Sequence, residues 1–477
     1  MSLDQCRRDF LYTAASGLGG AALASMLADD GLAAGAMPGG AQGRPHFAPR
    51  AKSCIFIFLA GGASQIETYD PKPMLNERDG KRLPDSFLEN AEFAFIKKDK
   101  AVLKGTPVRF AKHGTAGVDY SELVPHIASC ADDIAVIRSM HGEQFNHHPG
   151  QLLLSTGQAQ FGRPTIGSWL QYGLGSESRN LPGYVVLTAG RGASGGSSNW
   201  SSGFLPSAYQ GVPFRNRGEP VLNLASPPGV DERHQQRTLN AIRALNQSSL
   251  VSTGDPEIAS RIAQYELAFR MQSAAPELAD LATETRPTLD AYGVDRSTPR
   301  PTADLQAGDT YARFATNCLL ARRLVERGVR FVNIVHASWD QHGSLKHDLA
   351  WNARMADQPV AALIKDLKQR GLLDETLVVW ASEFGRTPLG QGNDGRDHHP
   401  NAFSMWMAGG GIKGGQAYGQ TDEFGWAPID NAVHVNDFQA TLLHLFGFDH
   451  TKLTFRFKGL DARLTNLRGE VVEPLLA

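Results

Sequence analysis

The sequence predicts an α/β protein with a mostly parallel central sheet flanked by helices, and two observations carry that prediction. Unbroken apolar runs recur along the chain, and helical patterns stand between them. The first run, Cys54 to Ala60, is closed by Gly61 and Gly62. A strand covered on both faces has no reason to alternate polar and apolar residues, so such a run followed by glycines reads as a buried strand and a tight turn. The pattern returns at Ile134 to Ile137, Tyr184 to Leu187, Val329 to Val335 and Thr376 to Trp380. Tyr311 to Arg327 carries apolar residues three and four apart, as one face of a helix requires, and Pro359 to Arg370 is a second helical segment. Strands alternating with helices imply parallel pairing and covered faces. Gly190 to Ser226, crowded with Gly and Ser, reads as long loops. A single α/β domain is expected over residues 51–477, with a helical insertion around 231–300.

The N-terminal segment carries a different signal. Arg7 and Arg8 precede Phe10 and Leu11, an Ala/Gly/Leu-rich run follows from Ala14 to Leu27, and Ala34, Gly35 and Ala36 form a small-residue cleavage site. This is the build of a secretory signal, and the paired arginines fit the twin-arginine address, read by a translocation machinery. An ordinary helix is disfavoured, because Gly17, Gly19 and Gly20 each cost it roughly 1 kcal/mol against alanine. Residues 1–36 are therefore expected to be removed, residues 37–50 to be a linker, and the mature chain to act in the periplasm or outside the cell. The segment takes two basic and four acidic residues with it, leaving 45 of each. A neutral chain has no field to attract nucleic acid. No later run reaches the ~18 apolar residues of a membrane span. Cys54, Cys130 and Cys318 show no CxxC spacing and read as buried thiols.

Histidine marks where the chemistry gathers. Eight of the fifteen histidines fall in residues 141–148, 336–347 and 398–399, each window close behind an expected strand or the loop beyond it. Loops at the carboxyl ends of parallel strands converge on one crevice, so these windows can meet. Asp340 and His342 offer carboxylate and imidazole donors, the chemistry of a divalent ion, with zinc or manganese favoured over calcium or magnesium. Glu383 follows a strand, Arg386 and Arg396 can grip an oxyanion, and Asp397 and His398 form a second acid–imidazole pair.

Several motifs also carry a resemblance: Gly61 to Gln65 with Glu67 to Pro73, Leu153 to Gly157, Trp339 to His342, Glu383 to Pro388, Gly395 to Pro400 and Ala408 to Gly411. Over nearly all of the chain after Ala51 these resemble the family known as domain of unknown function 1501, typical of planctomycete-type bacteria and often exported by the twin-arginine route. The resemblance implies the alkaline phosphatase and sulfatase superfamily, a large α/β sandwich with metal at the strand ends. This chain departs from that superfamily's pattern at three points. Phe384 replaces a histidine ligand after the Glu383 carboxylate. His147 stands ten residues before Gly157, where a cysteine, serine or threonine nucleophile is expected. Gly61 and Gly62 stand where the first strand would end in aspartate.

The resulting expectation is an exported metal-dependent hydrolase of phosphate or sulfate esters, including glycan esters. Asp340, His342, Glu383, Asp397 and His398 are the expected ligands, His147 the nucleophile or base, and Arg386 and Arg396 the oxyanion stabilisers. Gly61, Gly62, Gln65, Asn146, His148 and His399 are assigned to substrate binding. The alternative is a protein that captures a sulfated or phosphorylated glycan on the same scaffold without turning it over.

Overall fold

A computed structural model describes residues 44–88, 93–226, 229–299 and 308–477. The expected signal segment and the first part of the linker lie outside the described residues.

The central sheet has nine strands: β1 (Ser53–Ala60), β2 (Ile134–His141), β3 (Tyr184–Thr188), β4 (Val212–Phe214), β5 (Phe331–Ala337), β6 (Thr376–Ala381), then, beyond a two-stranded hairpin of β7 (Gly385–Gln391) and β8 (Gly395–His399), β9 (Phe403–Ala408), β10 (Gln416–Tyr418) and β11 (Val433–His434). The order across the sheet is β10, β2, β9, β6, β1, β5, β3, β4, with β11 also pairing β2. All pairings are parallel except those of β9, which runs antiparallel between β2 and β6. Each of the five apolar runs read from the sequence is a strand of this sheet.

β1 shows why its sequence is uninterrupted. All eight residues are buried, and they divide by parity between two cores. Ile55, Ile57 and Leu59 join one core, and Cys54, Phe56, Phe58 and Ala60 the other. Successive side chains of a strand point to opposite faces, so two covered faces demand two apolar sets. The first core is closed by α5 (Thr310–Glu326) and α6 (Leu345–Gln369) through residues such as Phe314, Cys318, Leu363 and Ile364. The second is closed by α1 (His147–Thr156), α2 (Ile166–Leu174) and α7 (Val435–Leu445), through Leu153, Trp169 and Phe438 among others. α3 (Glu232–Thr253) and α4 (Pro256–Ala279) form a helical hairpin turned at Gly254, with Asp231 and Asp255 capping their N-termini.

α6 corrects one boundary. The sequence reads as helical from Pro359, a residue suited to the first turn of a helix. The helix instead begins at Leu345 and runs through Pro359, which is buried, so the proline removes one backbone hydrogen bond without ending the helix. Cys54, Cys130 and Cys318 are free and buried. Among the described residues no helix is long and apolar enough to cross a membrane.

Candidate metal centre

The carboxyl ends of β1 and β5 and the loop after β3 open onto one cavity of about 520 Å³, where His147 and His342 meet. β5 leads into Asp340 and His342, β8 carries His398, and His147 is the first residue of α1, delivered by the loop after β2. The approach is close because Gly61 allows it. Its φ is +130°, and an added Cβ would lie 2.7 Å from the Asp340 backbone nitrogen.

Four side chains converge. Asp340 Oδ2 lies 3.1 Å from His147 Nε2, and Asp340 Oδ1 lies 3.0 Å from His342 Nε2 and 3.2 Å from His398 Nε2. The Nε2 atoms of His342 and His398 are 2.9 Å apart, and all four donor atoms fall within 4.8 Å of one another.

The other nitrogen of each ring fixes the tautomer. His147 Nδ1 faces Glu383 Oε1 at 2.9 Å, His398 Nδ1 faces the Phe145 carbonyl at 2.7 Å, and His342 Nδ1 faces Gln391 Oε1 at 2.5 Å. Each partner oxygen can only accept, so each Nδ1 donates its proton. In the neutral ring, Nε2 is then a lone pair. Three lone pairs and a carboxylate therefore point at one place, an arrangement that repels itself unless a proton or cation sits among them. His147 Nε2 is buried and faces only into this cluster, toward Asp340 Oδ2. Burial pulls the His147 imidazole down, but the carboxylates of Asp340 and Glu383 outweigh it and raise it to about 9. Burial likewise pushes the Asp340 carboxyl up, while the three imidazoles and Arg386 hold it far below the usual carboxylate range. Burial leaves His398 below its ordinary value. The donor set of three imidazoles and one carboxylate, each ring braced by an oxygen acceptor, is one that could hold a metal ion.

Other expected site residues are placed differently. Glu383 stands behind His147 and takes two hydrogen bonds from the Gly61 amide, at 2.9 and 3.1 Å. Asp397 is turned away from the cluster, because the backbone N–H groups of Phe95 and Ile96 hold its Oδ2 at 2.9 Å each. Arg396 is fully buried and paired with Glu67 at 2.6 Å, so its charge is not available to a ligand. Arg386 is also fully buried. It donates to the carbonyls of Gly61, Gly62, Trp339 and Arg396 and to Asp340 Oδ1 at 2.5 Å, and its burial leaves it no face open to an oxyanion.

Of the expected substrate-binding residues, Gly61 lines the cavity. Gly62 packs against the Phe384 ring, and Gln65 clamps both backbone groups of Arg386. Asn146 is exposed at the start of α1. His148 faces Ser198 and Phe161. His399 is buried, with its ring against the Trp426 carbonyl at 2.7 Å. Phe384, which stands where the resemblance implies a histidine, packs between His147 and His398 at ring distances of 5.1 and 4.6 Å and floors the cluster with hydrocarbon. Gln391 was not foreseen from the sequence; it lies in a polar hairpin with no local mark of its role.

A family model described as a protein of unknown function (DUF1501) matches residues 51–476. No curated protein matches the chain. Among solved structures, it is similar to the PsFucS1 sulfatase from Pseudoalteromonas sp., at 12% identity over 88% of this chain and 72% of that one, with a TM-score of 0.37. It is also similar to a phosphonate monoester hydrolase from Silicibacter pomeroyi, at 12% identity over 89% and 76%, with a TM-score of 0.35. An alkaline phosphatase from the Antarctic bacterium TAB5 shares 13% identity over 77% and 94%, with a TM-score of 0.30.

Proposed function

We propose, from the premise that this chain belongs to the DUF1501 family, that it is an exported metal-dependent hydrolase of phosphate or sulfate esters. The observation that carries the reading is the convergence of the His147, His342 and His398 Nε2 atoms on the Asp340 carboxylate, at the mouth of an open polar cavity. These four residues would hold the ion. Glu383 would orient His147 by accepting its Nδ1 proton, and Gln391 and the Phe145 carbonyl would do the same for His342 and His398. With Nδ1 given to Glu383 and Nε2 turned into the cluster beside Asp340 Oδ2, His147 would serve as a ligand and not as a nucleophile.

A bound divalent ion would supply Lewis acidity and lower the pKa of a water toward ~7. The chain's own groups position and exclude. Arg386 ties Asp340 to the ends of β1 and β5, so the carboxylate is fixed before any ligand arrives. Phe384 keeps water from beneath the cluster. The family resemblance of the Glu383 to Pro388 and Gly395 to Pro400 motifs supports esters of phosphate or sulfate as the substrate class, and the twin-arginine pattern supports action outside the cytoplasm.

The test is elemental analysis of the purified chain, followed by a panel of aryl phosphates, phosphodiesters and aryl sulfates. Stoichiometric zinc or manganese with turnover of at least one ester class is expected. A metal-loaded chain that turns over none of them rejects hydrolysis in favour of capture of an anionic glycan.

A further inference from the structure

The cavity needs a positive group to seat an anionic ester, and the two arginines that sequence reasoning offered are both consumed. Arg386 is enclosed among carbonyls and Asp340, and Arg396 is buried against Glu67. Among the described residues lining the cavity, one other guanidinium remains, that of Arg191. Arg191 follows β3 on a short turn opened by Gly190 (φ +67°). Its carbonyl accepts the Ala337 N–H at 3.0 Å, which pins its backbone to the end of β5, three residues before Asp340. The side chain is exposed, and among the described residues no carboxylate pairs with it. The other ionisable groups on this wall are committed. Asp340 is paired with Arg386, and the Asp348 carboxylate meets His347 Nδ1 at 2.8 Å.

A second observation points to the same ligand wall. Gln341 is 3% exposed and lines the cavity, and its Nε2 donates to the Ser338 carbonyl at 2.9 Å, yet its buried Oε1 has no donor. A buried amide oxygen without a partner is costly, and a ligand that brings an O–H removes the cost.

Resting on the hydrolase reading above, we propose that Arg191 is the substrate-anion clamp of this site: its guanidinium grips the non-bridging oxygens of a tetrahedral phosphate or sulfate group, while Gln341 Oε1 accepts from a hydroxyl of the alcohol part. The substrate class is thus an anionic ester of a hydroxyl-bearing alcohol. A planar fork suits two oxygens of such a group better than a point charge does. The backbone pinning at Ala337 keeps the fork beside the metal ligands, and the exposed stem lets it close on a ligand.

The probes are inorganic phosphate and inorganic sulfate, titrated by calorimetry into the metal-loaded full chain, with metal content measured in parallel. Arg191→Gln is expected to bind the tighter of the two anions about 10- to 100-fold more weakly than wild type, the effect of losing a charge-assisted hydrogen-bond pair, with an unchanged metal-to-protein ratio. Arg191→Lys should recover part of the loss. For Gln341, a sugar phosphate is compared with an alkyl phosphate of equal charge. Wild type should prefer the sugar ester, and Gln341→Leu should lose that preference while still binding inorganic phosphate. Equal anion affinity in wild type and Arg191→Gln, both carrying metal, overturns the clamp and leaves the hydrolase reading intact. Wild-type chain that takes up neither metal nor anion overturns both.

Discussion

Glu383 accepts the Nδ1 proton of His147 at 2.9 Å, and that single contact decides which way the imidazole faces. Because Glu383 is itself held by the Gly61 amide, the ring is aimed from the end of β1. Replacing Glu383 with Gln keeps the shape but removes the charge that makes His147 a strong donor. Metal affinity should fall about 10- to 100-fold, the usual cost of losing such a brace. Competition with a fluorescent chelator measures it, and an unchanged affinity contradicts the assignment.

His342→Ala and His398→Ala each remove a donor outright. In both, the metal-to-protein ratio from elemental analysis should collapse, whereas His148→Ala, facing Ser198, should leave it near the wild-type value. A wild-type ratio in either of the first two variants removes that histidine from the set.

Asp397→Asn separates an anchor from a ligand. Its Oδ2 holds the Phe95 and Ile96 amides, so the variant should lose about 1–3 kcal/mol of stability in urea unfolding and keep its metal. Loss of metal without loss of stability would return Asp397 to the coordination set.

The buried Arg396–Glu67 pair sets a fourth expectation. Arg396→Met leaves Glu67 charged and enclosed, which should cost about 3–5 kcal/mol, and adding Glu67→Gln to it should restore much of that. A double variant no better than the single one contradicts the account.

His336 gives the fold an acid limit. Burial pulls its imidazole down to about 3, against an ordinary value of 6.5. Below pH ~6.5 the unfolded chain binds a proton that the folded chain refuses. This contribution to stability is therefore complete above that pH and is lost as the pH falls toward 3. His336→Gln keeps an acceptor for the Trp339 indole N–H, now at 3.0 Å from Nδ1, and removes the titration. The stability difference between pH 7 and pH 4.5 should shrink in the variant by about 2–3 kcal/mol.

The parallel sheet was legible in the sequence because β1 and its neighbours are covered on both faces, which writes burial as unbroken apolar runs. β7 and β8 were not. They are buried as deeply, but with Arg386, Arg396, Asp397, His398 and His399, whose partners lie up to hundreds of residues away, so local hydropathy reads them as loop. The site followed the same division. Asp340, His342 and His398 were recognisable as donors from residue type and position after strands. The orientation of His147 was not, since it depends on Glu383, 236 residues further on. Arg191 carried no local signal, because its importance arises only after Arg386 and Arg396 are seen to be occupied.

The order in which the polypeptide is made has a bearing on when the cluster can exist. Its donors come from α1, from the loop after β5 and from β8, and the Arg386 guanidinium ties the last two to the end of β1 only when β7 is in place. A ribosome that has emitted the first 380 residues has built most of the sheet but presents no complete ligand set, so a scavenged ion meets at most three of the four donors. Metal uptake would thereby be coupled to completion of a high-contact-order topology, and a bound ion would report that the whole chain, and not a fragment of it, has folded.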